Sequence, residues 1–303
     1  MKVNKLENFE VWDSDTVRVK FMGNVTEVFY SSTISKGSTT RKLDADTYLD
    51  TRTGEVKEFV HIENRSQDLK SVARTMAQGR DVINANVTDI NNCRWLTLTY
   101  AENMTDGKKL RKDFEHFNER LRDIFGHYEY ITAAEPQGRG AWHLHVLLIF
   151  DCVAPFMKND VVSNCWKKGF VTVKKLKNVD NVGAYLSAYL GDIELEDYQK
   201  LYPNGDGRAY QVHTVDIEDD DGKIVTKHYL KGSRLFMYPP GFHIFRWSKG
   251  IKKPTIERMH YSEAKELVSD SALTYRKCVN ISDSDTDFSS NLVYEHYNTK
   301  TIN

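Results

Sequence analysis

Between residues 94 and 190 the apolar residues change spacing from two to three-and-four and back, and this switching restricts the fold more than any other feature of the chain. RWLTLTY (94–100) is rich in β-branched and aromatic residues. As a strand it places Trp95, Thr97 and Thr99 on one face and Leu96, Leu98 and Tyr100 on the other. In residues 106–125, Leu110, Phe114, Phe117, Leu121 and Phe125 recur at three- and four-residue spacing, which is one face of an amphipathic helix. HYEYITAAE (127–135) and WHLHVLLIF (142–150) read as strands, joined by the turn chemistry of Pro136-Gln137-Gly138-Arg139-Gly140. A short helix over 157–168, a strand FVTVKKL (170–176) and a helix through VGAYLSAYL (182–190), capped by Asn178 or Asp180, complete the series. The order β-α-β-β-α-β-α predicts an α+β fold, a central antiparallel sheet with helices packed on one face.

The flanks carry weaker patterns. VRVKF (17–21) and VTEVFY (25–30) surround Gly23-Asn24, a hairpin signal. Residues 31–42 read as a loop, and 66–83 as a helix with Ser66 at its N-cap. Beyond residue 200 the strand-like pieces are Tyr229–Met237 and His243–Trp247, and SDSDTDFSSN reads as a mobile polar tail. Three regions follow: an N-terminal accessory region (1–88), a central catalytic region (89–200) and a C-terminal accessory region (201–303).

The chain has 42 Lys and Arg against 43 Asp and Glu, so any nucleic-acid contact must come from local basic patches such as Lys174, Lys175 and Lys177. Its 4 cysteines contain no CxxC pair, which argues against structural zinc and a disulfide framework. An apolar leader and a membrane-spanning run are both missing from the sequence, which points to a cytoplasmic setting. It also contains no GxxxxGK[ST], so no fused helicase is expected.

Chemistry concentrates in the middle. On a strand, His143 and His145 point to the same face, so both imidazoles can converge on one ion. Glu135 ends the preceding strand, and a hairpin would bring it near His143 or His145. Two imidazoles and a carboxylate with open positions suit Mg²⁺ or Mn²⁺ in Lewis-acid work. Tyr185 and Tyr189, four residues apart on a helix, share a face, and a tyrosine can form a covalent intermediate.

The order RWLTLTY, WHLHVLL, VGAYLSAYL resembles the HUH endonuclease superfamily, and within it the rolling-circle replication initiators of small plasmids and single-stranded DNA phages. The resemblance covers about a third of the chain. It implies an HUH, ferredoxin-like core, with His143, His145 and Glu135 holding Mg²⁺ or Mn²⁺. It further implies Tyr185 as the nucleophile that keeps the 5′ side of a nicked strand as a phosphotyrosine. Tyr189 would be a second tyrosine for strand transfer, or a packing residue. The implied partners are origin DNA, single-stranded or cruciform, with a host helicase and DNA polymerase. Where the family often has a lysine three residues after the nucleophile, this chain has Ala188. That departure leaves open whether a nearby lysine substitutes or whether Tyr189 is the true nucleophile. In conjugative relaxases, which share the chemistry, the tyrosine usually precedes the histidines, whereas here it follows them. A non-catalytic origin-binding protein is the other alternative.

Overall fold

The structure is a computed structural model, and it describes residues 2–33, 38–176, 181–187, 190–218, 224–284 and 288–300. The chain forms two compact units, residues 64–254 and the two flanking segments 1–63 and 255–303 taken together. This is a different division from the three regions expected from the sequence, because the helix before residue 89 belongs with the central strands and both flanks form one body. The fold is α+β, with antiparallel sheets and six α-helices among the described residues.

The unit of residues 64–254 holds strands β1 (Cys93–Thr99), β2 (Glu129–Pro136), β3 (Trp142–Ile149), β4 (Val171–Lys174), β5 (Ile193–Glu194), β6 (Val212–Glu218), β7 (Ile224–Leu230) and β8 (Phe245–Trp247). Its helices are α1 (Leu69–Asn86), α2 (Gly107–Phe125), α3 (Asn159–Trp166), α4 (Val182–Ser187) and α5 (Leu195–Leu201). The main sheet runs β4-β1-β3-β2-β8, antiparallel throughout. A second sheet runs β5-β7-β6.

Helix α2 forms where its period predicts. Asp106 caps it by accepting from the N–H groups of Lys108 and Lys109, and Gly126 ends it at φ 78°. Its buried face, Leu110, Phe114, Phe117 and Leu121, joins one core with Leu96, Leu98, Leu144, Val146 and Leu148 from β1 and β3. Each such side chain contributes roughly 1.5–3 kcal/mol by leaving water. Trp166 of α3 closes this side with edge contacts to Tyr100 and Phe117. Tyr100 also donates to Asp113 of α2 at 2.9 Å, tying helix to strand.

The opposite face is covered as well, which corrects the expectation of helices on one side only. Gly79 of α1 lies so close to the Phe245 ring that a Cβ there would sit 2.4 Å from it. Phe245 pairs with Ala133 and Ala133 with His145, so α1 lies on the histidine side. Helix α1 starts three residues later than expected, and its N-cap is Asp68, not Ser66, because Asp68 accepts from Ser71 N–H at 3.0 Å.

The other unit is built on a six-stranded antiparallel sheet in the order Lys2–Leu6, Ala272–Asp283, Phe288–Asn298, Val25–Ser31, Thr16–Met22, Thr255–His260. The expected hairpin at Gly23-Asn24 forms, with Gly23 at φ 62°. The polar stretch expected to be a mobile tail instead joins the two longest strands of this sheet. Buried Val293 and Tyr297 alternate with less buried partners beyond it, a period of two that its polar start obscures. Residues 31–42, expected as a loop, end in the short strand Thr40–Lys42.

Glu27 is a buried carboxylate in this sheet, with Lys20 Nζ at 3.2 Å and His296 Nε2 at 3.3 Å. Burial alone would raise its pKa. The hydrogen bond from His296 and the charge of Lys20 outweigh burial and hold it at about 2. A carboxyl depressed in the folded state stabilises the fold fully above its unfolded pKa, and that contribution is lost as pH falls through the folded value. The urea midpoint should therefore fall as pH drops from about 4.5 to about 2. Glu27→Gln should flatten that part of the profile, and an unchanged acid limb in the variant would contradict the assignment.

Candidate metal centre

The β2–β3 hairpin places the site. Gln137 N–H donates to Ala141 at 2.7 Å and Gly140 N–H to Gln137 at 2.7 Å, closing a turn in which Gly140 takes φ 87°. The resulting register sets Glu135 opposite His143 and Ala133 opposite His145. Because Ala133 is small, the Glu135 carboxylate can reach both imidazoles on its face. Its Oε2 lies 3.0 Å from Nε2 of His143 and 3.2 Å from Nε2 of His145. One ligand atom from each of the three side chains falls within 4.8 Å of the other two.

Each group is aimed by its neighbours. Nδ1 of His145 lies 3.3 Å from Thr97 Oγ1, and its ring stacks on Trp95 with centroids 5.3 Å apart. Those contacts leave Nε2 facing the carboxylate. The second Glu135 oxygen, Oε1, accepts from Arg234 Nη1 at 2.7 Å and from Gly191 N–H at 3.1 Å. Arg234 is held in turn by its own N–H to the Gly191 carbonyl at 2.8 Å, and Ser233 accepts from Ile193 N–H at 2.9 Å.

Glu135 is 5% exposed. Burial by itself would raise its pKa, but hydrogen bonds from His143 and His145 and the charge of Arg234 hold it well below the usual carboxylate range. Burial also lowers the His143 pKa. At neutral pH the set is thus an anionic carboxylate and a neutral imidazole, the protonation state that a cation requires. The chemistry of these donors fits a hard divalent ion, with Oε2 free of the arginine.

An open cleft of about 520 Å³ adjoins His143. Arg139, Lys200 and Arg234 give it basic walls, and Phe170, 74% exposed, lies at its side. Arg139 is fixed by donation to the Tyr100 carbonyl at 2.6 Å.

Helix α4 carries the backbone of Tyr185. Buried Asn84 of α1 accepts from Gly183 N–H at 2.7 Å and donates to Asn181 Oδ1 at 2.8 Å. Asn181 Oδ1 also accepts from Ala184 N–H at 2.8 Å, so it caps this helix. Asn178 and Asp180, the expected caps, lie outside the described residues, as do Lys177, Ala188 and Tyr189 and the side chain of Tyr185. A Cβ on Gly183 would meet the Arg80 carbonyl oxygen at 2.2 Å, so only glycine allows this approach. Lys174 pairs with Trp95 and shares the histidine face at the sheet edge, and Lys175 is exposed just beyond it.

The structure thus brings Glu135, His143 and His145 together and adds Arg234 and Asn84, which sequence reasoning missed. Arg234 sits in no motif, and its only signal is burial. Asn84 lies within a helix read as accessory.

Residues 93–194 match a family model described as Replication-associated protein, of the ORF2 type. That stretch spans β1 to β5 and contains Glu135, His143 and His145. No curated protein and no solved structure matches the chain.

Removing one partner of a buried ion pair leaves the other charge uncompensated. Arg234→Met should lower stability by about 3–5 kcal/mol for that reason. It should also enlarge the rise in Tm that Mn²⁺ produces, since the ion then supplies the only positive charge on Glu135. Equal Mn²⁺ shifts in variant and wild type, by calorimetry, would show that the arginine and the ion do not share this carboxylate. Asn84→Ala strands Gly183 N–H and should cost about 1–3 kcal/mol in urea unfolding.

Proposed function

We propose that this chain is a replication initiator of the rolling-circle type, which nicks and rejoins single-stranded DNA through a phosphotyrosine in a divalent-metal site. The observation that carries the reading is the convergence of Glu135 Oε2 with both histidine Nε2 atoms, inside a stretch similar to replication-associated proteins. The strand order β4-β1-β3-β2, with α2 and α3 as the crossovers, supports the ferredoxin-like core of the HUH type.

In this reading Glu135, His143 and His145 hold Mg²⁺ or Mn²⁺, which when bound polarises the scissile phosphate and stabilises charge as it develops on its oxygens. The chain's own groups do the rest. The basic cleft beside His143 takes the DNA backbone, with Arg234 and Arg139 neutralising phosphates and Phe170 offering a ring on which a base can stack. Lys174 and Lys175 extend the basic edge toward the strand that enters, and Lys177 would continue it. Arg234 keeps Glu135 anionic and oriented while the substrate is absent. The phenol oxygen of Tyr185 attacks phosphorus, the bond from phosphorus to the 3′ oxygen breaks, and the phenolic proton leaves. The 5′ side stays on the enzyme and a 3′-OH is freed for a polymerase. Tyr189, on the next turn, would serve the closing transfer.

Helix α4 supports the choice of Tyr185, because the Asn84 clip and the Gly183 contact fix it on α1, which lies on the histidine side of the sheet. Strand separation would fall to a host helicase, and the chain would act in the cytoplasm.

The purified protein with Mn²⁺ or Mg²⁺ should nick a single-stranded oligonucleotide carrying its origin and remain attached to the 5′ end, as seen by denaturing gel. Tyr185→Phe should abolish the adduct, and His143→Ala should lose metal dependence and nicking together. Full activity in EDTA would refute the metal mechanism. Normal nicking by Tyr185→Phe beside an inactive Tyr189→Phe would move the nucleophile to Tyr189.

A further inference from the structure

The sheet has a second concavity, on the face opposite the histidines. It is a cavity of about 230 Å³ between α2 and the strands β2, β3 and β8. Thr132, Ala134 and Leu144 form its floor, and these alternate with the residues that face the metal side. Phe114, Tyr130 and Phe242 give it aromatic walls. Phe242 is held in place by flat stacking on Trp142, with centroids 4.4 Å apart and an interplanar angle of 2°. Gly107 leaves room for that ring, because a Cβ there would sit 2.8 Å from it. Phe114 meets Tyr130 edge-on at 5.0 Å. The Tyr130 hydroxyl makes no hydrogen bond among the described residues and is left as a donor or acceptor for a guest.

The mouth of the cavity is basic. Arg111 and Arg246 line both the cavity and the groove that continues from it, and Lys108, Lys112 and His243 border that groove. Arg111 shares its charge with Glu115 at 2.9 Å. Arg246 is exposed and has no acidic partner among the described residues. Apolar aromatic walls with a free hydroxyl suit a flat heterocycle, and a row of cations at the rim suits the phosphates on either side of it. The size is that of one nucleotide rather than a peptide segment.

We propose that this cavity binds an unpaired nucleotide of single-stranded DNA, with the base against Phe242 and Tyr130 and the flanking phosphates on Arg111 and Arg246. It is a second DNA contact, separated from the metal centre by the thickness of the sheet. The choice of DNA over another phosphorylated heterocycle rests on the function proposed above. The cavity holds a strand without cutting it, because no metal-ligating cluster lies on this face among the described residues.

The test measures anisotropy of a labelled fifteen-residue oligo-dT in EDTA, so that the metal site contributes no catalysis. Arg111→Glu/Arg246→Glu should weaken binding at least tenfold and reduce the slope of log K against log salt by about two. Lys109→Glu, exposed on the same helix but away from the cavity, should change affinity much less. Tyr130→Phe should weaken binding without changing the salt slope, which separates the hydroxyl contact from loss of charge. Unaltered affinity in the double variant, or equal losses in it and in Lys109→Glu, overturns the proposal. If the wild type nicks its origin while the cavity variants bind and nick normally, this second site fails and the metal-site reading stands. If the wild type binds oligo-dT through this cavity but never nicks, the reverse holds.

Discussion

The burial of one carboxylate organises this protein. Glu135 has almost no contact with water, and a lone carboxyl in such a place would take up a proton. It remains ionised because one oxygen is committed to Arg234 and Gly191 N–H, while the other faces two imidazoles. The division of labour between the two oxygens sets the geometry around it. The turn that presents Arg234 must lie against residues 191–193, and the hairpin register must put Glu135 across from His143. Elements distant in sequence are therefore held to a common point by a charge that none of them can relinquish cheaply.

What could be read in advance follows from how local each signal is. The strands around His143 and the helix α2 announce themselves by periodicity, since their burial is one-sided and their caps are adjacent. The approach of Glu135 to the histidines was legible because a short turn leaves a hairpin few registers. Arg234 was not legible, because its partner comes from the opposite end of the unit and nothing beside it in sequence marks burial. Helix α1 was visible as a helix, but its place on the histidine face depends on Gly79 under Phe245, a contact between segments that share no pattern. The polar run SDSDTDFSSN misled because a join between two strands and a disordered tail have the same composition. Only the alternation beyond it, at Val293 and Tyr297, separates them.

The main sheet also shows how one layer can serve two environments. Alternation sends His143 and His145 to one side and Leu144 and Val146 to the other, so the metal side and the aromatic cavity are lined by consecutive residues of β3 and β2. A single-residue slip in register would exchange them. The tight turn at Gly140 is accordingly as much a part of the chemistry as the ligands.

The six-stranded sheet has a bearing on synthesis. Its strands come from residues 2–31 and 255–298, with the whole metal-bearing unit intervening. A ribosome therefore delivers the first strands long before their partners exist, and leaves unpaired edges waiting while residues 64–254 can already close around their own core. The order of emergence makes the central unit the early folder and the sheet of the two flanks the slow, long-range closure that completes the molecule.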